Sequence, residues 1–223
     1  MSSILKPRPS RTRTRSGGRD RVGYASQQAT GTTSSVQTTG DEYVAFGNVE
    51  ARNGLQAWLE IPAMIYALRL PYGKDILEIG CGRGVALPVL SERLMPASLV
   101  GLDNDRALIA VADERIRRSG VDARVLEADA RDMPIESESV DVVIDFGTCY
   151  HVSGGRAGSR AALAEVARVL RPGGLFVHET RVAQRLAHPV RSFGRSLPWS
   201  EVPSLVPDRS ALLWAVRRKR GSP

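Results

Sequence analysis

The sequence predicts an α/β protein built on a doubly wound, mostly parallel sheet. Short apolar runs alternate with helical patterns from residue 75 onward, and the run at residues 140–146 is of the kind buried on both faces of a sheet. The first run ends in a turn rich in glycine. Alternation at this pitch is typical of parallel strands joined by crossover helices.

A helical segment precedes this alternation. Between Asn48 and Leu70, apolar residues recur mostly at helical spacing, and Pro62 interrupts the pattern. Because proline inside a helical pattern ends or kinks the helix, the sequence predicts either two short helices or one helix kinked at Pro62. The turn Pro71-Tyr72-Gly73 ends the segment.

Strands and helices then follow in order. The predicted strands are residues 75–79, 98–102, 123–126, 140–146 and 175–178. The predicted helices are residues 84–94, 105–119 and 160–170, and Pro172-Gly173-Gly174 stops the last of them. Beyond Thr180 the pattern weakens, and residues 211–218 predict a final strand at the edge of the sheet.

Charge is spread unevenly along the 223 residues, whose formal net charge is +7. Residues 1–40 carry seven basic side chains and one acidic side chain, and residues 208–223 carry five and one. The central residues 41–207 hold 19 basic and 22 acidic side chains, a net of −3. The basic excess therefore lies at the two ends and does not by itself indicate a nucleic-acid partner.

Residues 1–40 consist largely of Ser, Thr, Gly and Arg, and we predict a disordered basic tail. The tail lacks the apolar core of a secretory signal; its Arg- and Ser-rich composition leaves an organelle transit peptide as an alternative. No apolar run approaches the roughly 18 residues of a membrane span. Two cysteines, Cys81 and Cys149, cannot build a disulfide framework, so we expect a reducing, cytoplasmic location.

The strongest chemical signal is the turn Glu78-Ile79-Gly80-Cys81-Gly82-Arg83-Gly84 after the first predicted strand. Glycines let the backbone turn tightly and let a ligand approach, and the next helix points its N-terminal amides at the same place. Asp103 ends the second strand, where a carboxylate can accept hydrogen bonds from a ribose diol. Asp129-Ala130 follows the third strand, where a carboxylate can receive an adenine amino group.

These features predict a nucleoside cofactor, which is either a dinucleotide or a nucleoside with a cationic amino-acid end. The dinucleotide fingerprint Gly-x-Gly-x-x-Gly/Ala would place its third glycine at Val85 or Leu87. The acid at Glu78 would also lie close to an anionic pyrophosphate. A carboxylate there instead suits a cofactor that carries a cationic amino-acid end.

In combination, these motifs resemble the class I S-adenosylmethionine-dependent methyltransferases, and within them the small-molecule branch that includes ubiquinone- and menaquinone-biosynthesis enzymes. The resemblance covers roughly residues 70–180. The segments that carry it are residues 77–84, 101–103, 128–130 with Met133-Pro134, 140–143 and 165–174. It implies a Rossmann-like sheet of seven strands, the last antiparallel at or near the edge, with S-adenosyl-L-methionine as cofactor and a small-molecule acceptor.

The resemblance also implies roles for residues. The loop 80–84 wraps the methionine part of the cofactor, Asp103 holds the ribose, and Asp129 with Ala130 frames the adenine. The full expected cofactor-binding set is Glu78, Gly80, Cys81, Gly82, Gly84, Asp103, Asn104, Asp129, Ala130 and Asp145. The alternative for Glu78 is a strand-end acid that caps the loop, and for Asp103 and Asp129 it is a helix N-cap. No Cys or His cluster has zinc spacing, so no metal ligand is expected.

The segment from Asp145 to His151 flanks the reactive methyl group in the resembled family. His151 is a candidate general base because its ordinary pKa lies near neutrality, and its alternative role is packing or loop orientation. Tyr150 is a candidate pocket-lining residue, with simple packing as its alternative. Cys149 is expected to be a small core residue.

Residues 41–223 are predicted to form the methyltransferase domain. Residues 41–72 form a helical cover, 73–180 the cofactor-binding core, and 181–223 the acceptor-side segment with the final strand. The candidates for the acceptor pocket are Tyr43, Phe46, Trp58, Tyr66 and Trp199. Two other functions stay open: methylation of nucleic acid or protein guided by the basic ends, and a nucleoside-binding module without catalysis.

Overall fold

Seven strands form one sheet in the order β3-β2-β1-β4-β5-β7-β6 in the computed structural model, which describes residues 48–187 and 196–221. The strands are β1 (Asp75–Ile79), β2 (Ser98–Asp103), β3 (Arg124–Glu127), β4 (Val140–Asp145), β5 (Leu170–Glu179), β6 (Leu205–Ser210) and β7 (Trp214–Lys219). Strands β1 to β5 are parallel, and β7 is antiparallel to both β5 and β6. The predicted doubly wound, mostly parallel sheet of seven strands is confirmed.

The helices lie between the strands and ahead of them. They are α1 (Val49–Leu55), α2 (Ile61–Leu68), α3 (Ala86–Leu94), α4 (Arg106–Ser119), α5 (Thr148–His151), α6 (Gly155–Val169) and α7 (Arg181–Ala187). Among the described residues, no helix is long and apolar enough to cross a membrane. The prediction of a disordered tail lies outside the described residues, as do Tyr43 and Phe46.

The helical segment ahead of the sheet is one interrupted helix rather than two separate ones. A π-helical stretch, Gln56–Glu60, joins α1 to α2, and Pro62 stands in the first turn of α2. Proline has no N–H to donate to the preceding turn of the helix. The wider π-helical turn ahead of Pro62 lets the helix continue without that hydrogen bond. The kinked-helix alternative is therefore the one that the structure adopts.

The core lies on both faces of the sheet, as the period of two along a strand requires. On one face, Leu77, Val143 and Phe176 pack with the buried side of α6. On the other face, Ile76, Val142 and Val177 pack with α2 and α3. The central strands β1, β2 and β4 are consequently apolar on both sides, and polar side chains lie at or near their carboxyl ends.

Two predictions for the second half of the chain are wrong. The final strand is not at the edge, because β6 pairs with its outer side. Strand β6 was not predicted, because Pro207, Asp208 and Arg209 interrupt any apolar pattern in its sequence. Its residues are mostly exposed or half-buried. Helix α6 begins at Gly155, five residues before the predicted start, because glycines weaken the helical pattern there.

The loop between β1 and α3 approaches α4 closely at Gly84. The φ angle of Gly84 is +68°, and a Cβ placed there would lie 2.9 Å from the Cβ of Ala112 on α4. Gly120 has a similar φ of +66° but nothing within 4 Å of its Cβ position. Replacing either glycine with alanine would therefore strain the backbone. Only the replacement of Gly84 would also bring the new Cβ into a steric clash.

We expect Gly84→Ala to lower the free energy of unfolding by more than Gly120→Ala. Adding Ala112→Gly should recover part of the loss, with a coupling of about 0.5–3 kcal/mol in a double-mutant cycle measured by urea denaturation. Strictly additive effects of the two substitutions would contradict the close packing of this loop on α4.

Candidate active site

Three buried acids meet at the carboxyl edge of the sheet. Glu78 lies on β1, Asp103 ends β2 and Asp145 ends β4, and their exposed fractions are 3%, 9% and 1%. Strand β1 lies between β2 and β4, so the three side chains stand on neighbouring strands. Like charges and burial both oppose ionisation here.

Glu78 carries the largest electrostatic penalty of the three. Burial, and then the charges of Asp103 and Asp145, raise its pKa to about 8. Its Oε2 atom is buried and has no hydrogen-bond partner among the described residues. A buried acceptor without a donor costs roughly 1–3 kcal/mol, so this position is suited to a ligand that brings a donor or a positive charge. The alternative in which Glu78 only caps the loop gives no account of this oxygen.

Asp103 organises the glycine loop. Its Oδ2 accepts a hydrogen bond from the Gly82 N–H at 2.8 Å, and its Oδ1 accepts one from the Asp105 N–H at 2.9 Å. Burial raises its pKa, and these hydrogen bonds oppose the rise. The N-cap of α4 is Asp105, which accepts from Ala107, so the N-cap alternative for Asp103 is wrong.

The glycines of the loop differ in what surrounds them. A Cβ at Gly80 would lie 1.8 Å from the Oγ1 of Thr148, and one at Gly84 would meet α4. A Cβ at Gly82 would have nothing within 4 Å, although the φ of Gly82 is +51°. Gly82 therefore borders open space beside the buried acids, which is where a ligand can approach the backbone.

Cys81 turns its side chain away from that space. It is 5% exposed, and its Sγ would lie 2.9 Å from a Cβ at Gly101, so it packs against β2. Burial raises the pKa of its thiol. The backbone of Cys81 ties the loop to β2, because its N–H donates a hydrogen bond to the carbonyl oxygen of Leu102 at 3.0 Å.

Asp129 already has a strong partner that the sequence did not single out. Its Oδ1 accepts hydrogen bonds from the backbone N–H and from the Nε of Arg131, at 2.8 and 2.9 Å. The guanidinium lowers the pKa of the Asp129 carboxyl. No helix begins there, so the N-cap alternative is wrong; Ala130 is buried. Asn104, after β2, is exposed.

Asp145 holds the short helix α5. Its Oδ1 accepts from the Thr148 N–H at 2.6 Å and its Oδ2 from the Cys149 N–H at 3.2 Å. Burial raises the pKa of Asp145 to about 6, and these hydrogen bonds oppose the rise. Cys149 is fully buried, as expected, and Asp145 thereby positions Tyr150 and His151 on the same helix.

His151 and Tyr150 have different surroundings. His151 is half-buried, and its Nε2 lies 2.8 Å from the Oε1 of Gln184 on α7. Tyr150 is 5% exposed, and burial followed by the charge of Asp145 raises its pKa to about 12. At neutral pH Tyr150 therefore keeps its proton, which makes it a donor and not a base.

Sequence reasoning missed Gln184 and Glu179. Glu179 is the last residue of β5 and so belongs to the same edge as Glu78, Asp103 and Asp145; that position was the available signal. Gln184 is buried on α7, which showed no usable sequence pattern. The Nε2 of Gln184 donates to the Oε2 of Glu179.

The aromatic candidates for an acceptor pocket do not converge at this edge. Trp58 and Tyr66 are each 86% exposed. Trp199 packs against His178, with ring centroids 4.8 Å apart, and the Arg217 guanidinium lies 3.7 Å from its ring centroid. In the described ranges 48–187 and 196–221, no group of three His, Cys, Asp or Glu side chains is placed to hold a metal ion.

Comparison with known proteins agrees with this geometry. Residues 76–174 match a family model described as "Methyltransferase domain". A Mycobacterium tuberculosis protein named "Phthiotriol/phenolphthiotriol dimycocerosates methyltransferase" is 42% identical over 107 residues, which are 47% of this chain and 36% of that protein. A Mycolicibacterium smegmatis protein named "Probable S-adenosylmethionine-dependent methyltransferase/" is 35% identical over 108 residues, 48% of this chain and 38% of that protein. The chain thus matches little more than a third of the length of these relatives.

A solved structure shows the same fold. The crystal structure of a SAM dependent methyltransferase from Aquifex aeolicus has a TM-score of 0.60 at 16% identity, over 74% of this chain and 92% of that one. Residues 76–174, which match the family model, contain the glycine loop and the acids at the ends of β2 and β4. The predicted resemblance to methyltransferases is therefore confirmed by the family model and the relatives, and the solved structure shows that the fold is shared.

The raised pKa of Glu78 makes stability depend on pH. Without ligand, the unfolded chain releases this proton near its ordinary pKa of 4.5, whereas the folded protein retains it up to about 8. The folded state therefore loses stability as pH rises between these values. We expect Glu78→Gln to match the wild type at pH 4 and to be more stable at pH 8.5, by several kcal/mol, in urea denaturation.

The exposed Glu92 gives a matched control, because Glu92→Gln changes the same chemical group at the surface. Its difference from the wild type should stay nearly constant from pH 4 to pH 8.5. If Glu78→Gln behaved in the same way, the buried, unpartnered state of Glu78 would be refuted.

Proposed function

We propose that this protein transfers a methyl group from S-adenosyl-L-methionine to a small-molecule acceptor by in-line displacement. The observation that carries the proposal is the buried, unpartnered Oε2 of Glu78, on the strand that leads directly into the glycine loop. The cationic amino-acid end of S-adenosyl-L-methionine would favour the ionised form of Glu78 and pair with it, whereas an anionic pyrophosphate would oppose that ionisation.

The remaining residues of the edge fit the same cofactor. We assign Glu78 to the ammonium group, Asp103 to the ribose hydroxyls, and the backbone at Gly82 to the methionine part. Ala130 and Asp129 are assigned to the adenine, with Arg131 holding the Asp129 carboxylate in place. When bound, the cofactor supplies an electrophilic methyl group on a sulfonium, and its transfer leaves S-adenosylhomocysteine.

The protein's own contribution is to orient the acceptor and to exclude water. Alignment of two reacting groups can lower a barrier by about 7–11 kcal/mol, so strong chemical activation by a side chain is not required. We assign His151 to accept the proton that the acceptor releases, since a neutral imidazole is a base near pH 7. Tyr150, which keeps its proton, is assigned to orient the acceptor through its hydroxyl.

A small molecule is the acceptor class that the observations favour. The M. tuberculosis relative is named for phthiotriol and phenolphthiotriol dimycocerosates and not for a nucleic acid. The net charge of −3 on residues 41–207 also gives no attraction to a polyanion. We propose residues 73–180 as the cofactor-binding core, with the flanking segments contributing the acceptor side.

Cofactor binding tests the proposal. We expect Asp103→Asn to weaken S-adenosyl-L-methionine binding about 10- to 100-fold in titration calorimetry, since a hydrogen bond to a charged group is worth about 1.5–3 kcal/mol. Asp113→Asn, on the surface of α4, is the matched control and should leave the affinity unchanged. Unchanged affinity in Asp103→Asn, or tighter binding of NAD than of S-adenosyl-L-methionine, would overturn the assignment.

A further inference from the structure

A cavity of about 450 Å³ lies at the amino edge of the sheet, opposite the edge that holds the buried acids. Its walls include Asp141, the second residue of β4, and Arg171, the second residue of β5. Strand β4 ends at Asp145, and because each residue of a strand advances about 3.3 Å, about 13 Å separates Asp141 from Asp145 along the strand. The cavity is therefore distinct from the site proposed for the cofactor and the acceptor.

The lining of this cavity is strongly basic. Five cationic side chains contribute to it, and they come from the loop between α2 and β1, the start of β5, and strands β6 and β7. They are Arg69, Lys74, Arg171, Arg209 and Arg218. Among the described residues, the one acid in the lining is Asp141. A concave surface lined by one sign of charge concentrates ions of the opposite sign, so this cavity is suited to an anion.

Two of the cations join the walls of the cavity to each other. The Nε of Arg209 donates to the backbone oxygen of Leu68 at 2.7 Å, which ties β6 to the end of α2. The Nη1 of Arg218 donates to the backbone oxygen of Gly173 at 2.8 Å, which ties β7 to the start of β5. The protein's own hydrogen bonds therefore form the cavity, as is usual for small-molecule sites.

Acids neutralise three of the five cations. The Nη1 of Arg171 lies 2.8 Å from an oxygen of Asp75 and 2.9 Å from an oxygen of Asp141. The two arginines on β6 and β7 share the carboxylate of Asp208, at 3.1 and 2.6 Å. Three arginines are thus balanced by three aspartates, and these ion pairs hold the guanidinium groups in place.

Arg69 and Lys74 carry the remaining charge. Both are exposed, and within residues 48–187 and 196–221 neither side chain forms an ion pair. Five cations against three acids leave a net charge of +2 around the cavity. This excess is local, because residues 41–207 as a whole carry a net charge of −3.

We propose that this cavity is a second ligand site, which binds a small molecule that carries phosphate groups. Arginine and lysine are the side chains that bind phosphate oxygens best, and a phosphate group carries a charge of about −1.5 to −2 at pH 7, which matches the local excess. The volume lies within the roughly 300–1,000 Å³ of small-molecule sites. An enclosed volume of this size favours one small molecule over a nucleic-acid strand, which follows an extended groove. The proposal does not depend on methyl transfer.

Titration calorimetry with inorganic pyrophosphate tests the site on the full chain at physiological ionic strength. We expect the wild type to bind pyrophosphate and Arg69→Gln/Lys74→Gln to bind it at least about tenfold more weakly, because two charge-assisted contacts are lost. Both positions are exposed, so the fold should be retained, and circular dichroism checks this.

Arg106→Gln/Arg124→Gln is the matched control. It lowers the net charge by the same two units at exposed positions outside the cavity. We expect its affinity for pyrophosphate to stay within about twofold of the wild type, since exposed charges more than a Debye length apart are largely screened. Any pyrophosphate that binds the basic residues 1–40 is unaffected in both double variants, so the difference between them reports on the cavity.

Asp141→Asn should have the opposite effect. It removes the negative charge from the lining and keeps an oxygen that can accept the Asp75 backbone N–H, which now donates to Asp141 at 3.0 Å. We expect several-fold tighter pyrophosphate binding, because the net positive charge of the cavity rises. Asp113→Asn makes the same change on the surface of α4 and should leave the affinity unchanged.

Three results would overturn the proposal. The first is a wild type that does not bind pyrophosphate, and the second is equal weakening in the two double variants. The third is a single-stranded oligonucleotide that binds more tightly than pyrophosphate and is weakened by Arg69→Gln/Lys74→Gln, because the surface would then serve a nucleic acid. The measurements use no S-adenosyl-L-methionine, so they stand or fall separately from the proposed methyl transfer.

Discussion

The burial of the Glu78 carboxyl without an internal partner is the constraint on which the site depends. The protein places this group on a central strand between two further acids, where ionisation is opposed by low polarity and by like charge. Nearby backbone amides go to other acceptors, since Asp103 receives the N–H of Gly82 and Asp145 receives that of Thr148. The Oε2 of Glu78 is thereby left without a donor, at a cost to the free protein, and we propose that a ligand supplies that donor.

The other acids of the edge show how neighbouring side chains of one type acquire different roles. Asp103 and Asp145 each accept hydrogen bonds from backbone N–H groups nearby. Asp103 thereby holds the glycine loop, and Asp145 holds α5. Asp129 is instead neutralised by Arg131. Residue type alone would treat these carboxylates alike, whereas their hydrogen bonds distinguish the acids that also hold the protein in place from the one that has an oxygen without a donor.

Much of this was predictable because local sequence patterns encode it. A short apolar run that ends in glycines predicted β1 at residues 75–79, and turn chemistry placed the glycine loop directly after it. The edge strand β6 was not predictable, because Pro207 and a charged pair conceal its pairing with β7. Gln184 was missed since it contacts His151 across 33 residues of chain, which no local pattern reports, and Glu179 contacts Gln184.

The most direct test of the account is calorimetry of S-adenosyl-L-methionine binding at pH 7 in two buffers with different ionisation enthalpies. Free Glu78 is protonated at this pH, and pairing with the cofactor's ammonium group should ionise it. We expect the wild-type protein to release a proton on binding, so that the heat depends on the buffer, and we expect Glu78→Gln to lose most of this dependence. Tight binding with the same heat in both buffers would contradict it.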